Sequence, residues 1–90
     1  MHEVNDVDEV YPAIRDLSES LKSSGGTKLA AVLDHRMDKV AWTTRDELLE
    51  ELRTVLRNAV DAHELPLTEE LWSQCRRIIA ALDKHLGPPR

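Results

Sequence analysis

Three residues of the segment DHRMD, residues 34–38, carry side chains that could bind a metal ion. Asp34 and Asp38 are four residues apart, so a helix would place both carboxylates on one face, with His35 three residues before Asp38. Imidazole nitrogen and carboxylate oxygen are both transition-metal ligands. The three side chains differ in direction, however, and the segment offers no fourth ligand. We therefore interpret it as a solvent-facing polar surface and predict no metal site and no cofactor; metal binding by these three residues is an open alternative.

The only cysteine, Cys75, is the second candidate for chemistry. It lies four residues after Leu71 and three before Ile78, and no histidine stands three or four residues from it. A thiolate nucleophile needs a neighbouring base, whereas a cysteine in an apolar stripe is typical of a protein core. We predict a buried Cys75, no catalytic residue and no enzymatic activity; a metal- or thiol-dependent enzyme is the alternative from another functional class. A single cysteine cannot form an intrachain disulfide, which fits a reducing, cytoplasmic location.

Three other patterns resemble functional motifs but lack the required spacing or charge. Residues 23–28, SSGGTK, do not have the G-x-x-x-x-G-K-[ST] spacing of a phosphate-binding loop. Adjacent Glu50 and Glu51 point in different directions on a helix, unlike the facing carboxylates of an acid–base pair. In a helix-turn-helix, the segment RDELLEE at residues 45–51 would turn carboxylates toward phosphates. We therefore predict no nucleic-acid partner.

These candidates must be positioned by helices, because apolar residues recur every three or four positions in four segments. No alternating, β-branched run predicts a strand. The expected helices cover residues 12–23, 28–39, 45–62 and 69–86. Short connections favour an all-α, small antiparallel four-helix bundle that forms a single domain over residues 1–90. Residues 1–9 form an acidic N-terminal segment, for which disorder is one interpretation, and residues 87–90 form a C-terminal tail.

Proline, glycine and threonine set the expected ends of the first two helices. Pro12 suits the first turn of the first helix, where its missing N–H costs nothing, and Asp8 is an alternative, earlier cap. Gly25 and Gly26 are expected to end that helix. Thr27 is the expected N-cap of the second helix.

Capping residues also define the third and fourth helices. Thr44 and Glu47 have the S/T-x-x-E spacing of a capping box, in which each side chain accepts a hydrogen bond from the other residue's backbone N–H. Thr68 is the expected N-cap of the fourth helix. Leu67 and Trp72 stand at the two positions of a hydrophobic staple around it.

The apolar face of the first helix is narrower than those of the third and fourth. Its apolar residues fall within about 60° of the helix circumference: Val10, Ile14, Leu17 and Leu21. We therefore expect a peripheral helix with most of its acidic side chains in water. The second helix is expected to bury Leu29, Val32, Leu33 and Met37, and Val40 continues the same face. Homodimerisation through the narrow face of the first helix, or through apolar area near Leu49, Val60 and Trp72, is an open possibility.

Acidic residues are concentrated at the N-terminal end of the chain. The net charge is −5, and residues 1–20 contain six acidic residues and one basic residue, whereas residues 21–90 contain eleven of each. Such a negative surface attracts a basic partner and accelerates its encounter at low salt. A tryptophan in the loop before the third helix is either a core residue or a contact site, since tryptophan is enriched at interface hot spots. The candidate partner-binding residues are Asp8, Glu9, Asp16, Glu19 and Trp42.

Residues 29–56, LAAVLDHRMDKVAWTTRDELLEELRTVL, resemble a pattern of small bacterial helical proteins to which no function is assigned. The distinguishing part is AWTT followed by ELLEEL, and the similar region covers about a third of the chain. The resemblance implies a bacterial origin and a compact helical protein. The resemblance implies no catalytic residue in this chain.

Together these features predict a small acidic helical module for protein–protein interaction, an adaptor or regulator. An immunity- or antitoxin-type inhibitor of a basic partner is a more specific alternative, by analogy of size and charge. The N-terminus MHEVNDVDEV has no apolar run, so we expect neither a signal peptide nor a membrane partner.

Overall fold

The structure, a computed structural model, describes residues 7–38, 44–62 and 66–87, with residues 7 and 8 described by their backbone only. These residues form four α-helices and no strand. The helices are α1 (Val7–Ser23), α2 (Thr27–Asp38), α3 (Arg45–Ala62) and α4 (Glu69–Leu86). None of them combines the length and apolar character that a membrane-spanning helix needs.

Each helix packs against two neighbours in the order α1, α2, α3, α4 and back to α1. Helices α1 and α2 run antiparallel, because Arg15 contacts Asp38 whereas Lys22, further along α1, contacts Asp34. The N-terminal end of α3 likewise lies beside the C-terminal end of α4. The described residues therefore form the predicted small antiparallel four-helix bundle, with overall dimensions of 32 × 25 × 24 Å.

The core lies between the four helices and contains leucine from every one of them. The apolar residues of α1 are as deeply buried as those of α3 and α4, with Ile14 and Leu21 at 0% exposure. The prediction of a peripheral α1 is therefore wrong. Ala13 and Ser18 widen its inner face, so that α1 packs on both α2 and α4. The narrow apolar face of α1, one candidate surface for homodimerisation, therefore belongs to the core of the monomer.

Helix α1 begins five residues earlier than predicted, at Val7. Pro12 lies inside the helix and not at its first turn, so its missing N–H cannot donate to the carbonyl of residue 8. The reason for the earlier start is burial of Val10, which is fully enclosed by the core. Residues 7–9 of the acidic N-terminal segment are thus helical, whereas residues 1–6 lie outside the described residues.

The core side of α2 differs from the predicted one by a single residue. Ala30 is fully buried, whereas Val32 is the only large hydrophobic side chain that is exposed among the described residues. Ala30, Leu33 and Met37 follow the three- and four-residue spacing of one helix face, and Val32 lies off it. Burying Val32 would turn Ala30 and Leu33 away from the other helices.

The N-cap of α2 also differs from the prediction. Thr27 is the first residue of the helix, and the carbonyl of Gly26 accepts the N–H of Ala30 at 3.0 Å. A glycine suits position 26 because neighbouring side chains leave little room for a Cβ atom. A Cβ at this position would lie 2.7 Å from Leu21 Cδ2 and 3.1 Å from Leu67 Cδ2. Leu67, which precedes α4, therefore packs beside the α1–α2 turn at this end of the bundle.

The predicted caps of α3 and α4 are present. The Thr44 hydroxyl accepts the N–H of Glu47 at 3.2 Å, and the Thr68 hydroxyl accepts the N–H of Leu71 at 3.3 Å. Gly87 ends α4 with φ +83°, a conformation that favours glycine. Both helices have the boundaries that these residues predict.

Candidate interaction surface

The outer surface of α1 carries three of the candidate partner-binding residues. Asp16 follows Glu9 by two helical turns and Glu19 follows Asp16 by one, so all three lie on the same side of the helix. All three side chains are exposed, and that of Glu19 is 79% exposed. We call Glu9, Asp16 and Glu19 the acidic stripe. The expectation that the acidic side chains of α1 face solvent is confirmed for these residues.

The two basic residues of α1, Arg15 and Lys22, contact carboxylates of α2. The Arg15 guanidinium binds the Asp38 carboxylate through both of its terminal nitrogens, one of them at 2.8 Å from Asp38 Oδ2. Lys22 Nζ lies 2.9 Å from Asp34 Oδ2, compared with 3.8 Å from the Glu19 carboxylate. The positive charges of α1 therefore lie at the solvent-exposed edge of the α1–α2 contact, where both side chains are 46% exposed.

Asp34 is at the centre of this contact. Ser18, which is 1% exposed, donates its hydroxyl to Asp34 Oδ1 at 2.9 Å. The hydrogen bond from Lys22 lowers the pKa of the Asp34 carboxyl below its usual 3.8, and Ser18 and the positive charge of Arg15 add to this effect. Their combined effect exceeds that of partial burial, which raises the pKa. Asp34 therefore stays ionised to lower pH than an ordinary aspartate.

These contacts give Asp34 and Asp38 a structural role. His35, the third residue considered for metal binding, is exposed and has its Nδ1 3.2 Å from the Arg36 guanidinium. Within the described ranges, no group of three or more histidine, cysteine, aspartate or glutamate side chains is arranged to hold a metal ion. The two aspartates bind cationic side chains of α1 instead.

A second ionic cluster joins α3 to the end of α4 and has no counterpart in the sequence-based predictions. The Arg53 side chain is 9% exposed, and its Nη1 donates to Asp83 Oδ1 at 3.0 Å and to the Gly87 carbonyl at 2.7 Å. Arg57 Nη2 donates to Asp83 Oδ2 at 2.6 Å. Arg57 Nε is buried without a hydrogen-bond partner. The partly buried Asp83 carboxylate is thus shared by two guanidinium groups.

Cys75 and Trp72 are core residues. Cys75 is fully buried, and burial raises the pKa of its thiol to about 11, so that the thiolate is scarce at neutral pH. Trp72 is 1% exposed, as expected for a core residue. Its burial, with that of Leu49, removes most of the apolar area considered for a homodimer contact. Trp42 lies outside the described residues, and so does the side chain of Asp8.

Comparison of the chain with protein-family models, with curated proteins and with solved structures finds no match.

Proposed function

We propose that this protein is a small helical interaction module, an adaptor or regulator, that binds a basic partner protein through the acidic stripe of α1. One observation carries the proposal. The basic residues Arg15 and Lys22 bind aspartates of α2, whereas Glu9, Asp16 and Glu19 are exposed on the outer surface of α1. Helix α1 therefore presents net negative charge outward, with Lys22 Nζ 3.8 Å from the Glu19 carboxylate at one end of the stripe.

The acidic stripe lies on a helix whose opposite face is packed into the core. Helix α1 is anchored in the core by Val10, Ile14, Leu17 and Leu21, and by the Asp34 contact on its flank. A fixed array of like charges steers an oppositely charged protein during diffusional encounter, and its effect decreases as salt screens the charges. An inhibitor of a basic enzyme, of the immunity or antitoxin type, is a specific form of this function. A reducing, cytoplasmic location is part of the proposal, because the chain has a single cysteine.

The test is affinity capture from native lysate at low salt, followed by stepwise salt elution and mass spectrometry. Bait proteins are the wild type and a stripe variant that combines Glu9→Gln, Asp16→Asn and Glu19→Gln. We expect the wild type to retain a basic protein in stoichiometric amount and the stripe variant to lose it.

A control variant with the same change in net charge excludes a non-specific effect of charge. It combines Glu50→Gln, Asp61→Asn and Glu70→Gln, which alter exposed residues of α3 and α4. The control should retain the partner. Equal retention by the stripe variant and the wild type would contradict the proposal, and so would equal loss from both variants.

A further inference from the structure

Lys22 lies between two carboxylates that belong to different surfaces of the molecule. Its Nζ is 2.9 Å from Asp34 Oδ2 on α2 and 3.8 Å from the Glu19 carboxylate, one turn earlier on α1. Glu19 belongs to the acidic stripe, whereas Asp34 belongs to the α1–α2 contact. A glutamate and a lysine three residues apart on a helix can form an ion pair. The position of one ammonium group therefore determines how much of the Glu19 charge is neutralised within the chain.

Two features favour the contact of Lys22 with Asp34 over its contact with Glu19. The Asp34 side chain is 28% exposed and that of Glu19 is 79% exposed, so water and salt screen the Asp34 pair less. The buried Ser18 hydroxyl donates to Asp34 Oδ1 at 2.9 Å and orients the carboxylate. Accordingly, the hydrogen bond to Asp34 is the main cause that raises the pKa of the Lys22 ammonium, and Glu19 contributes less.

Arg15, the other basic residue of α1, has a partner that does not depend on Asp34. Its guanidinium binds Asp38 through both terminal nitrogens, whereas its Nη1 is 3.7 Å from Asp34 Oδ1. Removal of the Asp34 charge would leave the pair with Asp38 in place. Lys22 is therefore the cation that would lose its main partner, and Glu19 is the carboxylate within its reach.

We propose that Asp34 is a positioning residue for the acidic stripe: by binding Lys22 on α2, it keeps the Glu19 carboxylate available to a basic partner. This inference rests on the proposed function and names the residue that controls the charge at one end of the stripe. Without the Asp34 charge, Lys22 would pair with Glu19. The effect is local, since Asp16 lies about 9 Å along the helix from Lys22 and Glu9 about 20 Å.

The experiment measures the contribution of Glu19 to binding of a fluorescent oligolysine peptide, the probe for a basic partner, by anisotropy at about 0.01 M salt. The substitution Glu19→Gln is made in the wild type and in Asp34→Asn. We expect it to weaken binding about threefold in the wild type, the size of one exposed charge pair. In Asp34→Asn, where Lys22 already neutralises Glu19, it should weaken binding by less than about 1.5-fold.

Asp38→Asn is the matched control for net charge and for loss of an α1–α2 ion pair. It removes one carboxylate from the same helix but leaves Lys22 with Asp34. Glu19→Gln should therefore weaken binding in Asp38→Asn as much as in the wild type. A general loosening of the α1–α2 contact would instead change the Glu19 contribution in both aspartate variants. Circular dichroism checks that each variant is folded at the temperature of the measurement.

Lys22→Gln tests the same inference without altering Asp34. Lys22 is exposed and contributes no side chain to the core, so the variant should fold. With no ammonium beside it, Glu19 should contribute more to peptide binding than in the wild type. A smaller effect of Glu19→Gln in this background than in the wild type would overturn the inference.

The outcomes separate this inference from the proposed function. Equal weakening by Glu19→Gln in the wild type, in Asp34→Asn and in Lys22→Gln would overturn the role of Asp34 and leave the acidic stripe as the interaction surface. A wild type that does not bind the peptide, or whose binding is insensitive to Glu19→Gln, would contradict both proposals. Loss of the Glu19 contribution in Asp34→Asn but not in Asp38→Asn would support the two together.

Discussion

At the scale of single residues, two partly buried carboxylates, Asp83 and Asp34, join neighbouring helices. Asp83 on α4 is shared by Arg53 and Arg57 of α3, and Asp34 on α2 is shared by Ser18 and Lys22 of α1. The Arg53 side chain is only 9% exposed, and its guanidinium also donates to the Gly87 carbonyl at the end of α4. Because buried polar groups lose water on folding, each depends on its partner.

We expect replacement of Arg53 by methionine to lower the free energy of unfolding by about 1.5–3 kcal/mol. The substitution keeps the apolar stem but leaves the Gly87 carbonyl and one Asp83 oxygen without their donor. Urea unfolding monitored by circular dichroism measures the change. The matched control is Arg76→Met, since Arg76 is exposed and forms a surface ion pair with Glu69 at 3.6 Å, and its loss should change stability by less than about 1 kcal/mol. Equal effects of the two substitutions would contradict a structural role for the cluster.

The Asp34 contact has a defined pH dependence. The pKa of Asp34 is lowered in the folded state, so its contribution to stability is present above pH 3.8 and is lost as the pH falls through the lowered folded-state value. We expect Asp34→Asn to destabilise the protein at pH 7, and the difference from wild type to narrow below pH 3.8. Urea unfolding of both proteins from pH 7 to pH 2.5 tests this. A difference that narrows already near pH 6 would assign the effect to another group.

Part of this residue-scale detail could be predicted from the sequence. Arg53 stands four residues after Leu49 and three before Leu56, so the helical pattern already places it beside the core. The pattern does not indicate that its guanidinium is buried, because a long arginine stem can also extend to solvent. Only the position of Asp83 on α4, which depends on how the two helices pack, decides between these orientations.

At the scale of the elements, α1 carries an internal proline that weakens the helix presenting the acidic stripe. Pro12 is the sixth residue of α1 and is exposed, so replacing it removes no core contact. We expect Pro12→Ala to raise the free energy of unfolding by about 1–2 kcal/mol, because it restores a backbone N–H, partly offset by a more flexible unfolded chain. Thermal unfolding followed at 222 nm measures this. Glu19→Ala is the exposed control in α1 and should shift stability by under about 0.5 kcal/mol; a lower stability of Pro12→Ala would contradict the expectation.

The helices themselves were largely predictable, and the exceptions have a common cause. Thr44 and Thr68 define the starts of α3 and α4 through local hydrogen bonds that sequence spacing already encodes. The starts of α1 and α2 depend instead on tertiary packing, namely burial of Val10 and the crowding of Leu21 and Leu67 around Gly26. Local capping rules cannot anticipate contacts between residues that are distant in the chain.

At the scale of the whole molecule, folding of the bundle places Glu9, Asp16 and Glu19 of the acidic N-terminal region on the outer surface of α1. Periodicity and caps predict the fold class, and the charge count predicts an acidic first helix. Which charges face outward depends on the α1–α2 contact, where Arg15 and Lys22 bind aspartates of α2.

The association rate constant of this protein with its captured basic partner, measured by stopped-flow fluorescence from about 0.01 M to about 1 M salt, tests the role of the acidic stripe most directly. We expect the rate constant of the wild type to fall steeply as the salt concentration increases. The variant with Glu9→Gln, Asp16→Asn and Glu19→Gln should associate at least tenfold more slowly at low salt and show a shallower salt dependence. An unchanged association rate and salt dependence in that variant would contradict the claim that the acidic stripe of α1 is the interaction surface.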